Sequence, residues 1–256
     1  MTLVLTYHAV ESGPAPLCID PAVFARHVDA IADSGFEALT VSELAAALRA
    51  GELPERALAV TFDDGAASVA EQAAPLLRKR GLRATVFCVA GSLGGTNDWA
   101  TQAGWAPRLR LAEAGALAAL AADGWEIGSH GVEHLPLSGL TAEDAGREVL
   151  GSKVLLEDVL GVQVSSFAWP YGARPSAAAA ELIARTYDAA CAAGPAVVRD
   201  SSHPLALPRV DIHYLRSPER LRGALEREPA VWLSLRGLAT RVRRAVRPDY
   251  SSPRDA

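Results

Sequence analysis

The chain has 256 residues, half of them hydrophobic and 21% charged, with a formal net charge of -5 at pH 7. A chain of that length and composition is neither disordered nor in need of disulfide or metal staples, and its mild acidity speaks against nucleic acid as a partner. Cys18, Cys88 and Cys191 are odd in number and far apart, which excludes a disulfide framework and leaves them as small buried hydrophobes.

The opening MTLVLTYHAV is apolar but short, lacks a basic leading segment and precedes no small-residue cleavage site. Charges interrupt every apolar run well before the roughly 20 residues that a membrane-spanning helix needs. The expectation is a cytoplasmic protein with neither export signal nor transmembrane segment. Short β-type runs at 3–8, 57–62, 84–89, 126–129, 165–169, 189–190 and 210–213 alternate with helical patterns. The helical patterns cover 21–34, 41–50, 67–80, 113–123, 141–160, 176–186 and 218–228. Thr141 followed by Asp144 reads as a capping pair, and Ser217 before Pro218 as a helix start. This alternation predicts parallel β/α units, barrel-sized in number and gathered in one domain over residues 1–228. Residues 229–256 read as a basic amphipathic helix and tail, the stretch 230–247 holding Trp232, Leu233, Leu235 and Leu238 with five arginines and no acid. Such a segment either closes the barrel with a solvated Arg face or makes peripheral contact with an anionic membrane.

The long irregular stretch 90–110 contains Asn97, Trp99 and Trp105 among glycines. It suits a sugar-binding rim, with a surface excursion anchored by the two tryptophans as the alternative. In parallel β/α folds, ligands sit beyond the carboxyl ends of the strands, so chemistry is sought there. The strand ends deliver His8, Asp63 and Asp64, His130 followed by His134, Trp169-Pro170-Tyr171-Gly172, and Asp211 with His213. Two adjacent carboxylates on extended backbone point to opposite sides and can do different jobs. The spacing of His130 and His134 predicts two imidazoles on one side of a helical turn. With one carboxylate they make three ligands suited to Zn²⁺ or a similar divalent ion with an open position.

TFDDG, SHGVEH and the FAWPYG segment, in this order, resemble the polysaccharide deacetylases of carbohydrate esterase family 4, the NodB-homology domain. The resemblance runs from His8 to about Asp211 and takes in the GGTNDW loop and the SKVLLEDVLG helix. It implies an α/β fold, a single-domain distorted (β/α) barrel of about seven parallel strands, and metal-dependent hydrolysis of N-acetyl groups on amino sugars. Carried onto these positions, it makes Asp63 the general base and Asp64, His130 and His134 the ligands of one divalent ion. Zn is the first choice, with Co, Ni or Fe as alternatives. The Tyr171 backbone N–H would stabilise the oxyanion, and Asn97, Trp99, Pro170 and Tyr171 are the candidate substrate contacts.

The sequence departs from the family pattern at Ala168, where many members carry Arg, and in lacking an evident late Leu-x-x-His for the general acid. His8 and His213 are the candidates for that acid, His213 oriented by Asp211 on the same strand face. Arg209 is placed to pair with Asp63 or Asp211 instead of the missing Arg. His27 and His203 read as packing or surface residues. The expected activity is deacetylation of an N-acetylated amino sugar in a saccharide or glycoconjugate. The alternatives are an inactive carbohydrate-binding relative and, with two His and one carboxylate, an iron oxygenase.

Overall fold

Seven short strands run parallel in one curled sheet: β1 (Thr2–Tyr7), β2 (Ala57–Phe62), β3 (Thr85–Cys88), β4 (Glu126–Ser129), β5 (Ser166–Ala168), β6 (Ala189–Cys191) and β7 (Val210–Asp211). Their spatial order is β7-β1-β2-β3-β4-β5-β6, and a two-residue strand, Glu37–Ala38, pairs beside the start of β2. The computed structural model describes residues 1–226, so the basic segment expected over 229–256 lies outside the described residues. Among the described residues no helix is long and apolar enough to cross a membrane.

Strand periodicity explains the layering, because successive side chains alternate between the two faces of the sheet. Leu3, Leu5 and Tyr7 of β1, Leu58, Val60 and Phe62 of β2, and Val86 of β3 share one core with α1 (Pro21–Ala32), α3 (Ala74–Lys79) and α4 (Ala114–Ala122). Burying each such side chain contributes about 1.5–3 kcal/mol. The intervening Val4, Ala59, Phe87 and Ala168 form a second core with α2 (Val41–Ala50). The start of α2 is fastened to the starts of β3 and β4. The Val41 N–H donates to Thr85 Oγ1 at 3.0 Å, and the Ser42 N–H donates to Glu126 at 3.1 Å. Helix α2 thus closes the end of the barrel opposite the strand carboxyl ends, leaving that mouth for the site.

The other helices are α5 (Ala142–Gly146), α6 (Ser152–Leu160), α7 (Ala177–Thr186) and α8 (Pro218–Glu226). Two stretches expected as uninterrupted helices contain single π segments, Val69–Ala73 before α3 and Arg147–Gly151 between α5 and α6. The strand expected over 210–213 stops at Asp211, whose carboxylate accepts the His213 backbone N–H at 2.9 Å and caps a 3₁₀ turn, Ile212–Leu215.

The sheet does not close by pairing β6 with β7. An irregular span crosses the gap, with the Val198 N–H donating to the Thr2 carbonyl at 2.9 Å and the Leu207 N–H to the Ala190 carbonyl at 2.8 Å. Arg209 ends that span and is buried.

Candidate active site

Asp63 continues β2 by one residue, its N–H donating to the Tyr7 carbonyl at 2.9 Å. Asp64 then turns into left-handed backbone at φ 70°. That turn corrects the expectation that the two carboxylates diverge. Both face His130 Nε2, with Asp63 Oδ2 at 3.8 Å and Asp64 Oδ1 at 3.6 Å. Among the described residues, the non-glycine positions with positive φ are Asp64, His134 and Tyr171, all at this mouth. Each costs on the order of 1–3 kcal/mol, and such strain gathers at functional sites.

Asp64, His130 and His134 offer three ligand atoms that lie within 4.8 Å of one another, and all three residues are buried. Asp64 Oδ1 is also 3.5 Å from His134 Nε2. His130 Nδ1 lies 2.8 Å from the Ala168 carbonyl, which can only accept, so Nδ1 carries the proton and Nε2 presents its lone pair to the carboxylates. Burial pushes both imidazoles below their ordinary value, His134 further because His130 lies beside it. Two neutral imidazoles and a carboxylate converging at distances too long for hydrogen bonds fit a divalent cation of zinc character. The His134 ring is oriented by packing. It lies between Trp99 and Tyr171, with ring centroids at 4.4 and 4.5 Å.

The segment joining the two histidines is a loop, not the expected helical turn. Its backbone amides are taken up from outside. The carboxylate of Glu148, in the π segment, accepts the N–H groups of Val132 at 3.1 Å, Glu133 at 3.0 Å and Leu135 at 3.4 Å. Sequence reading passed over Glu148. The signal was an acid on the apolar side of a helical pattern, beside Ala145, Val149 and Ser152, all of them buried.

Arg209 grips Asp63 with two parallel hydrogen bonds, Nη1 to Oδ1 at 2.6 Å and Nη2 to Oδ2 at 2.8 Å. Burial alone would raise the Asp63 carboxyl, but the Arg209 guanidinium beside it holds it well below the usual carboxylate range. Of the two partners expected for Arg209, it takes Asp63. It enters from the span before β7, whereas Ala168, the position where an Arg was missed, lies on β5 and supplies the carbonyl that orients His130.

Asn97 does not present its carboxamide to a substrate. It is 1% exposed, its Nδ2 donates to the Pro107 carbonyl at 3.0 Å, and its Oδ1 accepts the Leu109 N–H at 2.7 Å. It ties the long loop to itself. Beyond this tie, Trp99 faces His134, and Thr101 links two parts of the site. The Thr101 hydroxyl donates to the His134 carbonyl at 3.0 Å, and the Tyr171 hydroxyl donates to the Thr101 carbonyl at 2.9 Å. Pro170, Tyr171 and Gly172 form a tight turn one residue after β5, broken at Tyr171, whose backbone is left-handed at φ 57°.

His8 follows β1 next to Asp63 and acts electrostatically on Asp63, Asp64 and His134. Asp211 holds the backbone of His213 rather than orienting its ring as expected, and the ring Nδ1 is buried without a hydrogen-bond partner among the described residues. His27 is a packing residue, as expected, and His203 lies in a surface loop where its Nδ1 accepts the Leu205 N–H.

The family model described as polysaccharide deacetylase matches residues 50–190, just over half of the chain. The Bacillus subtilis (strain 168) protein YxkH, named for that family, is 29% identical over 170 residues, which cover 66% of this chain and 56% of YxkH. The solved Streptococcus pyogenes deacetylase PplD, in complex with acetate, superposes with a TM-score of 0.74 at 25% identity, covering 88% of this chain and 98% of that one. IcaB from Ammonifex degensii shares the fold with a TM-score of 0.72 at 22% identity, covering 91% of this chain and 96% of IcaB. With its curled parallel sheet and a family match over more than half its length, the chain belongs to the polysaccharide deacetylase family.

Proposed function

We propose that the protein removes the acetyl group from an N-acetylated amino sugar in a saccharide or glycoconjugate. The observation that carries this reading is Asp63, a buried carboxylate clamped by Arg209 and set within 3.8 Å of the His130 nitrogen that faces Asp64. Asp64, His130 and His134 would hold a divalent ion, zinc first among candidates. Such an ion, when bound, supplies Lewis-acid polarisation of the acetyl carbonyl and makes a nucleophilic water more acidic.

The chain's own residues divide the remaining work. Each Asp63 oxygen gives one lone pair to Arg209 and keeps another for the proton that water loses as it adds to the carbonyl carbon. The negative charge that builds on the carbonyl oxygen is met by the Tyr171 backbone N–H, held in its left-handed turn against His134. As the carbon–nitrogen bond breaks, His8 gives a proton to the leaving amine, and acetate remains. His8 is taken over His213 for this step because the pairing of Tyr7 with Phe62 sets it beside Asp63 at the ends of neighbouring strands. Trp99 and Tyr171 form the wall against which the sugar ring rests, with Pro170 fixing the turn. The acetate found with the Streptococcus pyogenes deacetylase supports the same product here. The iron-oxygenase reading assigns no role to Asp63, and the family match weighs against it.

Acetate release from N-acetylglucosamine oligomers, with Zn²⁺, Co²⁺ and Ni²⁺ each supplied, tests the proposal. Wild-type protein is expected to release acetate and to stop with a chelator. Asp63→Asn is expected to lose roughly 10²–10⁴-fold in kcat while still binding the ion. No release from any N-acetylated saccharide with any of the three ions overturns the reading.

A further inference from the structure

The geometry points to Glu148 as the positioning residue of the histidine loop, the group that sets where His134, and with it the third ligand of the cation site, stands. This rests on the metal-dependent reading above and adds to it a residue outside all three motifs.

Between His130 and His134 the chain has no helix or strand to absorb its amides. Buried backbone N–H groups need partners. The Gly131 N–H finds the Ser129 hydroxyl at 3.2 Å, and the Val132, Glu133 and Leu135 N–H groups find the one carboxylate of Glu148. Two of those three amides belong to the residues immediately before and after His134. The carboxylate therefore grips His134 from both sides without touching its ring. Its own backbone is anchored in turn: the Ser152 hydroxyl donates to the Glu148 carbonyl at 2.6 Å, and Ser129 Oγ donates to Ser152 Oγ at 2.7 Å.

Gly131 makes room for the arrangement. A Cβ at this residue would stand 2.5 Å from Glu148 Oε2, on backbone at φ 88° that side chains rarely adopt. The π segment matters for the same reason. An extra residue in the turn changes the direction in which the following side chains leave the helix, and Glu148 lies within that segment. Other groups cannot replace the carboxylate, because three converging donors require an acceptor-only head with several lone pairs. A carboxamide in its place would direct one NH₂ at an N–H.

The test reads the cation site directly, apart from turnover. Zn²⁺ affinity is measured by competition with a colorimetric chelator, and the visible absorption of the Co²⁺ form reports ligand geometry. Both are recorded for wild type, Glu148→Gln and Ser129→Ala, with metal-free melting as a check of folding. Glu148→Gln is expected to lose about 10–100-fold in Zn²⁺ affinity and to change the Co²⁺ bands. Ser129→Ala, which removes the acceptor of one amide, is expected to lose a few-fold in the same direction. A folded Glu148→Gln with wild-type affinity and bands overturns the role of Glu148 and leaves the deacetylase reading standing. If Glu148→Gln does not fold, Glu148→Asp, which keeps the charge but draws the carboxylate back by one methylene, takes its place, and a folded Glu148→Asp with wild-type affinity and bands overturns it. A wild-type chain that binds neither ion overturns both.

Discussion

Arg209 decides how Asp63 behaves, and its removal separates two effects. Without the guanidinium, burial dominates and raises the Asp63 carboxyl, so a base that must be ionised becomes available only at higher pH. For Arg209→Met the acid limb of kcat/KM is therefore expected to move upward in pH, as read from a pH–rate profile. The same variant leaves a carboxylate buried and unpaired, at a cost of roughly 3–5 kcal/mol visible as a lower Tm. Arg209→Lys keeps the charge but loses the two-pronged geometry and should fall between the two. The types of these residues were legible in the sequence. Paired aspartates and spaced histidines at strand ends are chemically unusual and announce themselves. Their conformations were not legible. The left-handed turn that brings Asp64 beside Asp63 is imposed by surrounding structure on a residue that any sequence pattern would place in extended backbone. Asn97 misled because an amide next to tryptophans suits a sugar equally well as it suits its own loop.

The loop that Asn97 closes is the clearest case of an element held from within. Asn97→Ala leaves the Leu109 N–H and the Pro107 carbonyl without their partner, a loss of about 1–3 kcal/mol for a buried unmet group. Because Trp99 and Thr101 stand on this loop, the expected kinetic signature is a rise in KM larger than the fall in kcat, measured alongside the Tm. Elements with a strong local pattern were readable. β2, β4 and α2 occupy the spans expected, since their apolar spacing and caps agree with their environment. The turn read between His130 and His134 was not helical, because its spacing matches a helix while its amides are claimed by a carboxylate many residues away. Such long-range claims on the backbone have no local signature, and the π segments share this property.

Across the whole molecule, one buried histidine joins three distant parts. The Tyr7 hydroxyl donates to His27 Nδ1 at 3.1 Å, while His27 Nε2–H donates to the Arg216 carbonyl at 3.0 Å, linking β1, α1 and the turn before α8. Burial pushes the His27 imidazole down to about 4; its hydrogen bond to the Arg216 carbonyl opposes that direction, as does Glu219, while the charges of Arg26 and Arg216 add to it. The unfolded chain takes up this proton near pH 6.5, so the stability His27 provides is complete above that pH and falls as pH drops toward about 4. A loss of ~2–4 kcal/mol is expected over that window, and His27→Gln should flatten the dependence of Tm on pH there. The unpaired junction between β6 and β7 has a different consequence. Every other pair of neighbouring strands is hydrogen-bonded directly, but this seam relies on scattered hydrogen bonds from an irregular span, and Arg209 is attached to it. A seam of this kind opens at lower free energy than the whole molecule. Opening it would withdraw the guanidinium from Asp63 while the rest of the sheet stays intact. In rising urea, catalysis should therefore fade before the global unfolding transition, with the amides of Val198 and Leu207 exchanging hydrogen ahead of those in β1 and β2. Coincident loss of activity and structure would mean that the seam and the sheet come apart together.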